Sequence, residues 1–237
     1  MEKLIFRFNN QFSQGSTENK DILGGKGANL AQMAKLKLPV PPGFTISTKV
    51  CDLFYKSNKK IPKKLINQAN KEIRLIEKIT KKNFGNHSNP LLVSVRSGAR
   101  ISMPGMMDTI LNIGLNDKTV IGLKNNTSNG RFAKDSYRRL IQMYGNVVMD
   151  IESHFFEELI ENYKLTKGVI QDIELDEKDW DGLIINFKDL IKQKTKKNFP
   201  QNVNEQLWDA VSAVFLSWNS RRAKTYRKIN YIPDHWG

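Results

Sequence analysis

The chain has 237 residues, of which 39% are hydrophobic and 26% charged, and its formal net charge is +14. This length fits one large domain or two small ones, and the apolar fraction is enough for a buried core, which excludes a disordered chain. No apolar run approaches the ~18 residues that a membrane span requires. The single cysteine, Cys51, excludes an internal disulfide, so we expect a cytoplasmic protein with a buried thiol.

The first half of the chain has the patterns of both strands and helices. Alternating or β-like apolar stretches predict strands at residues 3–8, 44–47, 91–96 and 109–113. Helical spacing predicts a helix over 28–38, with Leu30, Met33 and Ala34 on one face, and a second helix over 61–82. Thr48 is a candidate N-cap for a further helix after the strand at 44–47.

From about residue 117 the patterns become helical. We predict helices at 131–149, 153–163, 177–197 and 205–231. Strands in the first half and helices in the second favour an α+β fold with an inserted, mainly helical subdomain. The expected division is one subdomain of residues 1–115 plus 200–237 and a helical subdomain of residues 116–199.

The positive charge has two interpretations. Lysines concentrate in helical stretches, as at Lys59, Lys60, Lys63 and Lys64, which favours solvated helix faces. A basic nucleic-acid-binding module is the alternative. No zinc-finger spacing or RNA-binding aromatic pattern supports it, so we expect no nucleic-acid partner.

A glycine-rich turn, Gly24-Gly25-Lys26-Gly27, precedes the helix predicted at 28–38. Glycines let a backbone approach an anion closely, and a helix start offers free N–H groups. Lys26 adds a positive charge for a phosphate. The turn is not a Walker A loop, because Gly27 stands where that loop has Ser or Thr. A tight turn before a surface helix is the alternative.

The segment Ser94-Val95-Arg96-Ser97-Gly98-Ala99-Arg100 places an arginine at a strand end beside a glycine. Ser94 and Arg96 fall on one face of the strand. A guanidinium there can bind phosphate oxygens in a bidentate manner. A salt-bridged structural arginine is the alternative for Arg96, and Arg100 either assists it or pairs with a carboxylate.

A third segment, residues 102–109, contains three methionines, a proline and a glycine, followed by Asp108 and Thr109. The methionines either pack a core or form a flexible apolar lid over a flat base. The histidines, His87, His154 and His235, have no metal-ligand spacing, and we predict no metal site.

These segments together resemble one family. They are similar to the amino-terminal nucleotide-binding domain of pyruvate phosphate dikinase. The similarity is strongest over Leu91–Asn116 (LLVSVRSGARISMPGMMDTILNIGLN). It extends to residues 23–30, 41–45, 131–144 and 218–237, the last of which include the stretch Arg221–Tyr226. The resemblance covers essentially the whole chain. Phosphoenolpyruvate synthases and water dikinases share the Gly-Gly-Lys and Val-Arg-Ser elements but lack the methionine-rich continuation, and they are the alternative within this class.

The resemblance implies an incomplete ATP-grasp-type domain. In that family the β-phosphoryl group of ATP goes to a histidine on a separate swivelling domain, and the γ-phosphate goes to inorganic phosphate, which forms pyrophosphate and leaves AMP. The phosphohistidine then phosphorylates pyruvate to phosphoenolpyruvate, and the reaction uses Mg²⁺ and a monovalent cation. Arg96 is then the residue expected to stabilise the transferring phosphoryl group. The residues expected to bind ATP or its phosphates are Lys26, Arg96, Gly24, Gly25 and Gly27, followed by Ser97, Arg100, Asp108 and Thr109.

The family continues beyond the residue that corresponds to Gly237. The acidic Mg²⁺ ligands and the Gly-Gly-x-Thr-Ser-His segment of the phosphohistidine belong to that continuation. We therefore expect the chain to be an inactive part of the enzyme. A homodimer is expected for the full enzyme and a monomer for this part.

Overall fold

The computed structural model describes residues 3–236, apart from the side chain of His235. Its strands are β1 (Ile5–Asn9), β2 (Phe12–Ser13), β3 (Gly43–Ile46), β4 (Asn83–Phe84), β5 (Pro90–Leu91), β6 (Val93–Arg96) and β7 (Thr109–Ile113). Its α-helices are α1 (Lys20–Lys35), α2 (Thr48–Lys56), α3 (Lys63–Thr80), α4 (Thr119–Thr127), α5 (Gly130–Val147), α6 (Ser153–Lys167), α7 (Glu177–Thr195), α8 (Val203–Ser217) and α9 (Arg221–Ile229). After β7 the described chain is helical without further strands, so the predicted α+β composition is confirmed.

The chain divides into two compact units. The first contains the described residues up to Lys81, residues 96–108 and those from Ser212 onward, and the second contains residues 82–95 and 109–211. The sequence-based division at residues 115 and 199 stays a prediction, and the limits of the two compact units lie at other residues. The second unit thus contains the strands β4, β5 and β7 together with the helices α4–α7.

The first unit is built on a small antiparallel sheet with the order β2-β1-β3. In the pairing of β1 with β3, Ile5 lies opposite Ile46 and Phe8 opposite Gly43. Helix α1 packs on this sheet through small side chains. Leu23, Ala28 and Ala31 form one buried cluster against Phe6. Small residues allow the close approach of helix and sheet that positions the start of α1.

The second unit has an aromatic helical core. Its fully buried side chains include Tyr137, Tyr144, Phe156, Trp180 and Phe187. The guanidinium of Arg138 stacks on the Trp180 ring at 4.6 Å from the ring centroid. Burial of such large aromatic surfaces supplies much of the stability of a unit of this size.

Three predicted helix features are wrong in detail. Helix α1 begins at Lys20, and its buried face carries Leu23, Ala28, Ala31 and Ala34, while Met33 is exposed. The helix predicted at 205–231 is two helices, because Ser220 caps α9 by accepting a hydrogen bond from the Ala223 N–H. Ser47, not Thr48, caps α2, since only Ser47 lies outside the helix where its hydroxyl can reach the Lys49 N–H.

Candidate functional site

The glycine-rich turn lies inside α1 and interrupts it. Gly24 has φ 68° and ψ 172°, which is not a helical conformation, and the helix resumes at Gly25. A side chain is excluded at this position, since a Cβ on residue 24 would lie 1.2 Å from the Gly98 carbonyl oxygen. The turn therefore creates a second helix start, which lies in contact with Gly98 and Ala99 in the segment after β6.

The two segments are joined by a backbone hydrogen bond. The Gly25 N–H, at the start of the resumed helix, donates to the Ala99 carbonyl oxygen at 2.8 Å. This amide is consequently occupied and not free for a phosphate. Gly27 serves the packing of α1, because a Cβ there would lie 2.7 Å from Cγ2 of Thr45.

Two cationic side chains emerge from these joined segments. Lys26 and Arg96 are both exposed. The Lys26 ammonium lies 3.5 Å from the hydroxyl of Ser97, the residue that follows Arg96. Within residues 3–236, the side chain of Arg96 makes neither a hydrogen bond nor an ion pair, so its guanidinium is available to an anion.

Ser94 and Arg96 are exposed on β6, as the strand alternation predicts, while Ser97 is buried. Arg100 lies partly buried with its guanidinium 3.9 Å from the Asp21 carboxylate. It therefore pairs weakly with a carboxylate, which was one of its two expected roles. Thr109 begins β7 and belongs to the second unit, whereas the other predicted site residues belong to the first.

The methionine-rich segment packs at least partly into a core. Met103 is buried in a cluster with Trp218 and Ile232, and Met106 and Met107 pack against that cluster. Core packing is thus the role that the structure gives to Met103. Asp108 forms an ion pair with Arg222 of α9, a residue that the sequence patterns did not single out as part of the site.

Cys51 has no features of a nucleophile. It is a free, buried thiol on α2. Burial, with a smaller contribution from the Asp52 carboxylate, raises the pKa of the Cys51 thiol to about 12. The thiol is therefore protonated at neutral pH, and only the thiolate is reactive.

The described residues contain neither a cluster of metal donors nor a membrane-spanning helix. Over this part of the chain, no three His, Cys, Asp or Glu side chains lie close enough together to hold a metal ion. His87 and His154 are described, and the side chain of His235 lies outside the described residues. Between residues 3 and 236 there is also no helix with the length and apolar character of a membrane span.

Comparison with known proteins identifies the family. The family model "Pyruvate phosphate dikinase, AMP/ATP-binding domain" matches residues 20–82 and 59–236. The chain is 48% identical over 237 residues to the pyruvate, phosphate dikinase of Rhizobium meliloti and 48% identical over 238 residues to that of Clostridium symbiosum, in each case along its full length. It is 48% identical to the enzyme of Entamoeba histolytica over 217 residues, which is 92% of the chain.

These relatives are much longer than the chain. The chain spans 26% of the length of the Rhizobium meliloti protein, 27% of the Clostridium symbiosum protein and 24% of the Entamoeba histolytica protein. The similarity is thus to about a quarter of a larger enzyme. On the family match and the full-length identity, the chain belongs to the pyruvate phosphate dikinase AMP/ATP-binding domain family.

Proposed function

We propose that the chain binds ATP as the nucleotide-binding portion of a pyruvate phosphate dikinase, with Lys26 and Arg96 contacting the phosphates. The observation that carries the proposal is the contact between residues 24–27 and residues 96–100. These two segments, about seventy positions apart in the chain, meet through the Gly25–Ala99 hydrogen bond and the close approach of Gly24 to Gly98. The contact brings Lys26 beside Ser97, next to Arg96.

The chemistry of the exposed groups fits a polyphosphate. Transfer of a phosphoryl group spreads negative charge over several oxygens, and catalysis depends mostly on positioning and charge stabilisation. Arg96 supplies a planar guanidinium suited to bidentate phosphate contacts, and Lys26 a mobile ammonium. We propose that Gly24, Gly25 and Gly27 shape the backbone beneath the phosphates, and that Ser97, Arg100 and Asp108 of the same compact unit line the site.

For the whole enzyme we propose the reversible conversion of ATP, phosphate and pyruvate to AMP, pyrophosphate and phosphoenolpyruvate. The reaction would pass through a phosphohistidine on a swivelling domain in an ATP-grasp-type, cytoplasmic, homodimeric enzyme. Mg²⁺ and a monovalent cation belong to this proposal as well. Among the described residues there is no cluster of donors for a metal ion.

Arg96→Ala is expected to weaken ATP binding by about tenfold or more and to leave the free energy of unfolding unchanged. A charged hydrogen bond to phosphate contributes ~1.5–3 kcal/mol, and each 1.4 kcal/mol corresponds to a factor of about ten in affinity. Stability should not change, because Arg96 is exposed and forms no ion pair within the described part of the chain. Calorimetric titration with ATP and urea denaturation measure the two quantities.

The matched control is Arg74→Ala. Arg74 is an exposed arginine on α3, outside the two segments of the proposed site, and its replacement removes the same charge. Its effect on ATP affinity should stay below about twofold, as expected for a remote charge screened by salt. Equal losses in the two variants would mean that ATP responds only to net charge, and the proposed role of Arg96 would then be rejected.

A further inference from the structure

The segment from Ser97 to Asp108 connects β6 to β7 without any helix or strand. Its beginning is fixed at Ala99, whose carbonyl accepts the Gly25 N–H. Its middle is fixed by the burial of Met103 beside Trp218 and Ile232, and the Met106 N–H closes a turn onto the Met103 carbonyl. A long irregular segment of this kind needs explicit restraints to keep one conformation.

The end of this segment is held by one side chain. Arg222 donates a hydrogen bond from Nε to the Met106 carbonyl oxygen at 3.2 Å, and its Nη2 pairs with the Asp108 carboxylate. The guanidinium thus contacts the segment at two points. Asp108 is more buried than Arg222, with side-chain exposures of 20% and 50%, so the arginine reaches over from α9 and closes on the carboxylate.

The position of Arg222 is not explained by helix stability. Arg221 and Arg222 open α9, whose first turn has no acidic residue, and the positive end of the helix dipole disfavours cations there. A half-exposed ion pair also adds little to global stability. The contacts of Arg222 with Met106 and Asp108 are the feature that distinguishes it from its neighbour Arg221.

We propose that Arg222 is a positioning residue of the nucleotide site. It restrains residues 106–108 and neutralises Asp108, so that the segment running from Ser97 keeps the conformation in which Ala99 meets Gly25 and Lys26 lies beside Ser97. The inference rests on the proposed function for its effect on ATP, but the restraint itself is independent of any ligand.

The test compares Arg222→Met with the wild-type chain in three measurements. Amide hydrogen exchange of a peptide covering residues 97–108 is expected to be at least about tenfold faster in the variant, since the segment loses two restraints. The affinity for ATP is expected to fall about fivefold to tenfold. The midpoint of urea denaturation is expected to stay within experimental error, which a merely structural role would not produce.

Arg221→Met is the matched control, because it removes the same charge from the same helix turn and Arg221 is exposed. Its exchange rates and ATP affinity should equal those of the wild type. Asp108→Asn removes the ion pair but leaves the hydrogen bond from Arg222 to the Met106 carbonyl, so it should accelerate exchange less than Arg222→Met. The double variant Asp108→Asn/Arg222→Met should exchange as fast as Arg222→Met alone.

The possible failures are distinguishable. Unchanged exchange of residues 97–108 in Arg222→Met would overturn the inference, whatever happens to ATP. Equal acceleration in Arg221→Met would also overturn it, by showing that charge at the helix start is responsible. A wild-type chain that does not bind ATP would instead reject the proposed function, while the exchange measurement would still decide whether Arg222 restrains the segment.

Discussion

Replacing Gly24 by alanine is expected to lower the free energy of unfolding by about 3 kcal/mol and to abolish detectable ATP binding. The backbone there, φ 68° and ψ 172°, is a region that essentially only glycine occupies, and other residues pay ~1–3 kcal/mol for it. The added Cβ would also lie 1.2 Å from the Gly98 carbonyl oxygen. Forcing an extra carbon into such a contact costs a further ~1–3 kcal/mol as the backbone shifts.

The control for this change is Gly105→Ala. Gly105 has a similar positive φ, 72°, but a Cβ there would meet nothing within 4 Å. Its expected cost is about 1 kcal/mol, the ordinary penalty for a side chain at positive φ. Urea denaturation followed by tryptophan fluorescence measures both variants. Similar losses at residues 24 and 105 would show that the contact with Gly98 does not matter for stability.

Replacing Gln206 by leucine is the second change with a large expected effect, a loss of about 3 kcal/mol. The Gln206 side chain is fully buried. It accepts a hydrogen bond from the Gly114 N–H at 3.2 Å and donates to the carbonyls of Leu115 at 3.0 Å and Pro200 at 2.8 Å. Leucine has a similar volume, so the loss comes from three backbone groups left without partners, each worth ~1–3 kcal/mol.

Gln201→Leu is the matched variant for Gln206. Gln201 is exposed and also bonds to the neighbouring loop, accepting from the Asp117 N–H at 3.0 Å. Water replaces its partners when the amide is removed, so we expect a loss below about 1 kcal/mol. If Gln206→Leu proved as mild as Gln201→Leu in urea denaturation, the buried hydrogen bonds would not be the source of stability.

Three of the four predicted strands match β1, β3 and β7 to within two residues, because strand alternation is a local property. The stretch predicted as one strand at 91–96 is two strands, β5 and β6, in different sheets, and the short strands β2 and β4 were not predicted. Strand β7 has the predicted limits, 109–113. The helix at 119–127 was missed, since its sequence TVIGLKNNT combines β-branched residues, a glycine and two asparagines, all poor helix formers. Tertiary packing forms it: Val120 and Leu123 are buried, and Gly122 lies so close to the His87 carbonyl that a Cβ would be 2.0 Å from it.

The start of α1 was misplaced for a related reason. Two successive glycines normally mark a helix boundary, and Gly24 does have non-helical dihedral angles. The helical turn before it and the contact of Gly25 with Ala99 depend on a segment far away in the chain. No local pattern contains that information.

The residues of the candidate site also differ in whether local sequence could predict them. Lys26 and Arg96 were predicted as phosphate ligands from their own neighbourhoods and from the family resemblance. Arg222 was not identified as a partner of Asp108, because the two residues are 114 positions apart. The one available signal was the pair of arginines at the start of a helix, where the dipole disfavours them.

The most direct test of the account is an ATP footprint on the chain by hydrogen exchange. With saturating ATP, we predict slower exchange in two peptides, one covering residues 24–27 and the other residues 96–100, and no change in the exposed lysine-rich connection at residues 56–64. Protection confined to residues 56–64 would indicate a general response of basic surface to an anion. That result, or unchanged exchange at both predicted segments, would contradict the assignment of Lys26 and Arg96 as phosphate ligands.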